Sequence, residues 1–255
     1  MSPLEQIQQH LRTLRMPTAV EIVGDLFATA TRENWSLETF LNELLEQEME
    51  GRSQRRIERL QKSSHLPAGK TLAAFDQAHL PLRLTRQLAQ LCTGEFVTRA
   101  ENCLIFGLPG VGKSHFAAAV GHQLVQSGHS VLFTPTYRLV DELLRAKRDL
   151  LLEQELRRLD CFEVLILDDI GYVQQSRDEM EVLFTLLAER YERRSVIVTS
   201  NLVFSKWDQI FKDPMTTAAA IDRVVHHSVI VEFGKEVASH RAQEAAKRIQ
   251  KQTPE

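Results

Sequence analysis

The run Gly107-Leu108-Pro109-Gly110-Val111-Gly112-Lys113-Ser114 satisfies the phosphate-binding pattern G-x-x-x-x-G-K-[ST] at every position. Its glycines let the backbone curl so that successive N–H groups face phosphate oxygens, and the helix that follows adds the positive end of its dipole. In such a loop Lys113 reaches the β- and γ-phosphates and Ser114 holds Mg²⁺, with His115 next in the cofactor-binding run. The flanks agree. Leu104-Ile105-Phe106 reads as a buried strand, and His115 to Gln126 as a helix closed by Gly128. The plainer alternative is a glycine-rich turn carrying a surface lysine.

Val164-Leu165-Ile166-Leu167-Asp168-Asp169 is an apolar strand ending in a pair of carboxylates, the form of a Walker B element. Asp168 would share the Mg²⁺ shell with Ser114, and Asp169 would orient or deprotonate the attacking water. A turn that caps a helix is the competing reading. Val196-Ile197-Val198-Thr199-Ser200-Asn201 repeats the pattern, so Asn201, with Thr199 and Ser200 as alternates, is placed to bond the water or the γ-phosphate; an Asn that simply starts a turn reads the same way. Arg223 lies in an expected helix over Ala218 to Val225. It is either a surface residue or an arginine projected into a neighbouring subunit's nucleotide site, where such a group stabilises transition-state charge. His226-His227 carries no metal expectation, because adjacent residues on a helix point apart and no third ligand is evident. No Ser-His-Asp arrangement is readable either.

Positioning these groups requires a sheet. From about residue 71 onward, β-rich runs at 104–106, 130–134, 164–168, 195–200 and 228–233 alternate with helical segments, after an expected helix over Leu82 to Leu91. The pattern predicts an α/β domain on a five-stranded parallel sheet with its ligand at the carboxyl ends of the strands. Residues 1–68 read instead as a small all-helical domain, with 69–255 as the second domain. Leu4, Ile7, Leu11 and Leu14 form one stripe, and Pro17 opens a helix carrying Ile22, Val23, Leu26, Phe27 and Ala30. Ser36 is the expected N-cap of a third helix, whose apolar face is Leu37, Phe40, Leu41, Leu44, Leu45 and Met49. That helical region ends in a basic run, with Arg52, Arg55, Arg56, Arg59 and Lys62 largely along one face and Glu58 as the only acid among them. The face is either a solvated surface paired with acids elsewhere or a contact to a nucleic-acid backbone. His65 to Lys70, with Pro67 and Gly69, reads as the linker.

A chain of 255 residues that is 43% apolar can bury an ordinary core, and a formal net charge of −3 argues against a surface that is polycationic throughout. Any nucleic-acid contact must come from local patches. The connection from Tyr137 to Asp160 mixes Arg145, Lys147, Arg148, Arg157 and Arg158 with acids, which predicts a salt-bridged exposed helix, with Lys147 and Arg148 kept as nucleic-acid candidates. Cys92, Cys103 and Cys161 are far apart and are expected to be small core residues. No run approaches a membrane span and the N-terminus lacks the order of a signal peptide, so a soluble, cytoplasmic protein is expected.

Gly107 to Ser114, Leu165 to Asp169, Thr199 to Asn201 and Ala220 to Arg223 together resemble the AAA+ ATPases. More narrowly, they are similar to the IstB-like transposition helpers, close relatives of the helicase loader DnaC. Arg55-Arg56, Arg99-Ala100-Glu101-Asn102, Asp168-Asp169-Ile170-Gly171, Thr199-Ser200-Asn201-Leu202 with Trp207, and Asp222-Arg223 carry the resemblance across nearly the whole chain. It implies an ATPase using ATP and Mg²⁺ that assembles as a ring or helical filament on duplex DNA and activates a partner transposase. It also implies an arginine-finger role for Arg223 and a sensor 1 position for Asn201. Ser239-His240-Arg241 is similar to the family's Ser-Tyr-Arg phrase, with His240 in place of Tyr, and implies a phosphate contact for Arg241. About twenty residues follow the last expected strand, too few for a full helical lid. A helicase loader acting on single strands is the second reading. A small-molecule kinase is the third, and it leaves the helical region and the basic run unused.

Overall fold

Ser2 starts the first helix by accepting the Glu5 N–H on its hydroxyl while the Glu5 carboxylate accepts the Ser2 N–H, a reciprocal cap that satisfies two otherwise open donors. The computed structural model describes residues 1–77, 80–170, 176–202, 225–234 and 237. It divides the chain into two compact units, Met1–Arg59 and Leu60–Glu255.

In the first unit α1 (Pro3–Thr13) and α2 (Pro17–Glu33) are followed by α3 (Leu37–Ser63), whose N-terminus is capped by Ser36, the acceptor of the Thr39 N–H at 3.1 Å. Leu11, Ala19, Val23 and Leu44 form the small core, with Ile7, Met16, Leu26 and Phe40 packed against it. Phe27 stacks on Phe40 at 4.5 Å between ring centres. The apolar face expected on α3 is narrower than its sequence suggests: Leu44 is buried, but Leu37 is 85% and Met49 70% exposed, and Leu41 and Leu45 are also exposed. One stripe of α3 suffices to close a core this small.

The start of α2 has no side-chain cap of its own. Glu48, on α3 and 2% exposed, supplies one by accepting the Ala19 N–H at 3.0 Å. Arg52 Nε and Arg55 Nη2 then donate to the same carboxylate at 2.8 and 3.2 Å. Burial raises the Glu48 pKa. The Arg52 hydrogen bond, the Ala19 N–H and the two guanidinium charges outweigh it, so the carboxyl is held below its usual 4.5.

In the second unit α4 (Leu82–Cys92) and α5 (Glu95–Thr98) lead into β1 (Asn102–Gly107) and α6 (Lys113–Gln126). Next come β2 (Val131–Pro135), α7 (Thr136–Arg148), α8 (Leu152–Asp160), β3 (Val164–Ile170), α9 (Arg177–Arg190), β4 (Ser195–Ser200) and β5 (Ser228–Phe233). All strand pairs are parallel, in the order β2-β3-β4-β1-β5. The five expected strands are therefore all present. β1, β3 and β4 are buried on both faces, as a parallel sheet clothed in helices requires. Leu104, Leu132, Leu139, Leu143, Leu165, Leu183 and Leu186 knit α7, α9 and the sheet into one core.

The stretch expected as a linker is docked instead. Ser64 is fully buried, and its carbonyl accepts the N–H of Phe133 on the outer strand β2 at 2.7 Å. Leu66 packs against α6 so closely that a Cβ on Gly121 would fall 2.8 Å from its methyl group. His122 holds the next turn, with Nε2 3.1 Å from the Pro67 carbonyl. The connection between β2 and β3 is two helices rather than one, broken where Leu150 takes a φ of +58°. Cys103 is buried and Cys92 half-buried, but Cys161 is exposed, against the expectation that all three are core residues.

Candidate nucleotide-binding site

Parallel pairing brings the chemistry to one edge. Phe106 lies opposite Ser200, Leu167 opposite Val198 and Ile170 opposite Ser200, so the tips of β1, β4 and β3 end side by side. At about 4.8 Å between strands, the loop after β1 and the carboxylates of β3 are about 10 Å apart along the sheet.

Gly107 ends β1 at φ +156° in a space that admits no side chain, since a Cβ would lie 2.6 Å from that of Phe233. The loop then enters α6 through Gly112 in a left-handed conformation, which leaves the first N–H groups of the helix pointing into the curl. Lys113 is only 8% exposed and arches back over the loop, its Nζ donating to the carbonyls of Gly107 at 2.8 Å and Leu108 at 2.9 Å. Ser114 is half-buried beside it, while Leu108 and Pro109 are exposed at the crest. Val111 is buried beneath them. The His115 side chain turns to a strap ahead of α4, with Nε2 3.0 Å from the Thr71 carbonyl and its ring 4.8 Å from Phe75. Its contribution to a phosphate cradle would be its backbone N–H.

At the end of β3 the register with β4 shifts between Leu167 and Ile170, and Asp169 sits in the bulge at φ +62°. A bulge with a residue in the left-handed region re-aims the side chains around it. Here Asp168 is half-buried and Asp169 exposed. Thr199, 1% exposed, joins the two: its hydroxyl donates to Asp168 Oδ1 at 2.7 Å and accepts the Asp169 N–H at 2.8 Å. Thr136 donates to the Asp168 carbonyl at 3.0 Å from the other side. Ser200 accepts the Leu202 N–H and so fixes the turn that carries Asn201. The Asn201 Oδ1 is buried and has no hydrogen-bond partner among the described residues. A bare buried acceptor beside a curl of N–H groups is a site shaped for a ligand that brings its own polar atoms.

The basic candidates divide. Arg52 and Arg55 are committed to Glu48, Arg52 also donating to the Arg15 carbonyl and Arg55 to the Thr18 hydroxyl. Lys147 pairs with Glu181 on α9 at 2.9 Å. Arg56, Arg59 and Lys62 on α3, and Arg148 at the end of α7, are exposed. Arg223 and Arg241 lie outside the described residues, as do Trp207, Asp222, Ser239 and His240.

Sequence reasoning missed three residues that build the scaffold, Glu48, Arg190 and Asn102, and the role of a fourth, Thr199. Glu48 and Arg190 are buried charges that fasten other elements: Glu48, paired with Arg52 and Arg55 on its own helix, holds the Ala19 N–H of α2. Arg190, 2% exposed, donates to the carbonyls of Leu159, Phe162, Glu163 and Ser195 and ties α8, β3 and β4 together. Burial pushes its pKa down to about 9, with Asp160 opposing and Arg194 and Arg193 adding to the shift. Asn102 accepts the Val196 N–H on its side chain at 2.9 Å, fixing β1 against β4. Thr199 was visible as a residue, but its double role depends on the bulge opposite it.

Strand order and site together define an α/β P-loop domain of the AAA+ class. The crystal structure of DnaI superposes with a TM-score of 0.56 at 20% identity, covering 67% of this chain and 96% of that one. That of the DnaC helicase loader gives 0.50 at 19%, covering 66% and 98%. The chain belongs to the IstB-like ATP-binding protein family, whose profile matches residues 9–247. It is 43% identical over 93% of its length to an insertion-sequence ATP-binding protein of Sinorhizobium fredii, covering 80% of that protein. It is 39% identical over 96% of its length to the IS21 insertion-sequence ATP-binding protein of Pseudomonas aeruginosa, covering 91%.

Proposed function

We propose that this chain is an ATP-hydrolysing, DNA-binding accessory protein of an insertion sequence, which assembles in several copies on duplex DNA and there engages a transposase. The observation that carries the reading is the gathering at one sheet edge of the glycine loop, the Asp168–Thr199–Asp169 hydrogen-bond chain and the Asn201 oxygen, which has no partner among the described residues. The family relationship and the names of its relatives support the insertion-sequence setting.

ATP fits the loop from Gly107 to Ser114, with the His115 N–H at the start of α6. Ser114 and Asp168 would hold Mg²⁺, which supplies neutralisation of phosphate charge when bound. Lys113 is positioned to exchange its two carbonyl acceptors for phosphate oxygens. Asp169, exposed at the bulge, is the base that orients water, and Asn201 positions that water or the γ-phosphate. Arg223 of one copy completes the site of its neighbour and Arg241 adds a further phosphate contact, both on the strength of their motifs. Residues 1–68 serve DNA binding and assembly, and 69–255 hydrolysis. Arg56, Arg59, Lys62 and Arg148 are the exposed candidates for the DNA backbone.

The test is ATP hydrolysis without DNA, with duplexes of increasing length and with single strands. Stimulation should rise with duplex length, and Lys113→Ala should abolish nucleotide-dependent assembly on the duplex. A preference for single strands would favour a helicase loader, the second reading, to which the likeness in fold to DnaC gives support. Phosphorylation of a metabolite with indifference to DNA would overturn both.

A further inference from the structure

The foot of the sheet, at the end away from the phosphate loop, gathers a different set of groups. β1 and β5 run in register from Asn102 opposite Ser228 to Gly107 opposite Phe233, so the turn that precedes Ser228 and the loop after Gly107 are separated by the full length of a strand. At about 3.3 Å per residue that is about 20 Å.

His226 and His227 occupy this turn rather than a helix, which removes the geometric objection to their acting together. Their rings meet edge to face with centroids 4.2 Å apart. A third group reaches them from a distant part of the chain. α9 ends at Arg190, and Glu192 leaves it with a left-handed φ of +55°. One ligand atom from each of Glu192, His226 and His227 lies within 4.8 Å of the other two. The His227 Nε2 is 3.5 Å from Glu192 Oε1. Two ligands about 2.0–2.1 Å from a tetrahedral metal are about 3.4 Å apart, so this pair already stands at a chelating distance.

The surroundings orient the set. The Tyr191 hydroxyl lies 3.1 Å from His226 Nδ1, which leaves Nε2 as the ligand atom of that ring and supplies the outer hydrogen bond that metal-binding imidazoles commonly have. The His227 carbonyl accepts the Asn102 N–H at 2.7 Å, so the turn is pinned to the start of β1. All three ligand residues are exposed, leaving the remaining coordination positions open to water.

We propose that Glu192, His226 and His227 form a binding site for a divalent transition-metal ion, Zn²⁺ in particular. Imidazole and carboxylate donors suit zinc, whereas Mg²⁺ and Ca²⁺ favour oxygen alone. The ion clasps the turn after α9 to the entry of β5. The site is independent of the nucleotide reading, being built from residues that take no part in it.

The test is isothermal titration of the chelator-treated full chain with ZnCl₂, repeated with Co²⁺ to read the ligand field from its visible spectrum. The native chain should bind one equivalent and give a spectrum of low-coordinate Co²⁺ with nitrogen and oxygen ligands. The double variant His226→Ala/His227→Ala should lose that equivalent. Glu192→Gln, an exposed change that keeps the shape of the side chain, should weaken binding at least tenfold, and Tyr191→Phe about tenfold. Absence of stoichiometric zinc binding by the native chain, its persistence in the double variant, or unchanged affinity in Glu192→Gln would each overturn the site.

Discussion

Thr199 shows what a single hydroxyl can settle. The Asp169 N–H can only donate to it, so its own hydrogen is left for the Asp168 Oδ1 at 2.7 Å. Thr199→Val keeps the shape and removes both bonds, taking from the bulge the hydroxyl that links Asp168 to the Asp169 N–H. ATP turnover should fall about 10²-fold with fold and nucleotide affinity largely kept, and Thr199→Ser should restore most of it, as read by steady-state hydrolysis. Arg190 teaches the complementary lesson about stability. Arg190→Met removes the guanidinium donor from four carbonyls, of which those of Leu159 and Glu163 keep a backbone N–H. It should lower the unfolding free energy by about 3 kcal/mol in urea titration. That Asp168 and the glycine loop follow apolar strands at the same end of the sheet was legible, because type and spacing alone mark those strands. The bonds that Thr199 and Arg190 make were not, because the partners of Thr199 and three of the four of Arg190 lie about thirty residues away, at positions only the folded sheet defines.

At the scale of elements, α3 carries two messages on one helix. Its basic run reads along the sequence as a single face, yet Arg52 and Arg55 are held by Glu48, which caps α2. The cap at Ser36 was legible from local spacing; this one was not, because the capping carboxylate comes from twenty-nine residues away. Because the folded Glu48 pKa lies below the unfolded value, its contribution to stability is full above 4.5 and is lost as pH falls through the folded value. Glu48→Gln should therefore cost about 1–3 kcal/mol at neutral pH and progressively less in acid, measured as the difference between native and variant unfolding curves. The same arrangement decides how the DNA proposal is tested. Replacing Arg52 or Arg55 strips Glu48 of a partner as well as removing charge. Arg56→Ala/Arg59→Ala/Lys62→Ala leaves Glu48 both of its guanidinium partners, and the slope of log affinity against log salt should fall by about 0.9 for each phosphate that is no longer neutralised.

For the molecule as a whole, the strand runs were legible because a parallel sheet buries both faces and leaves long apolar stretches, and all five lie where the sequence places them. The joint was not. Pro67 and Gly69 mark a break in regular structure, and such a break can be docked as readily as loose. The division between compact units falls at Arg59 and Leu60, and the segment from Ser64 to Pro67 is fastened to β2 and α6. That fastening bears on how the chain can be cut. β2 is an outer strand, and the Ser64 carbonyl occupies one of the backbone N–H groups that it turns outward. A fragment that starts at residue 69 would discard Ser64 and Leu66 together, uncovering a bare strand margin and an apolar notch beside it. Exposed margins of this kind recruit strands from other molecules. In light scattering, that fragment should cluster where one beginning at Leu60 stays dispersed, so the same few residues that look like a hinge in the sequence act as the selvage of the sheet, keeping it from fraying into its neighbours.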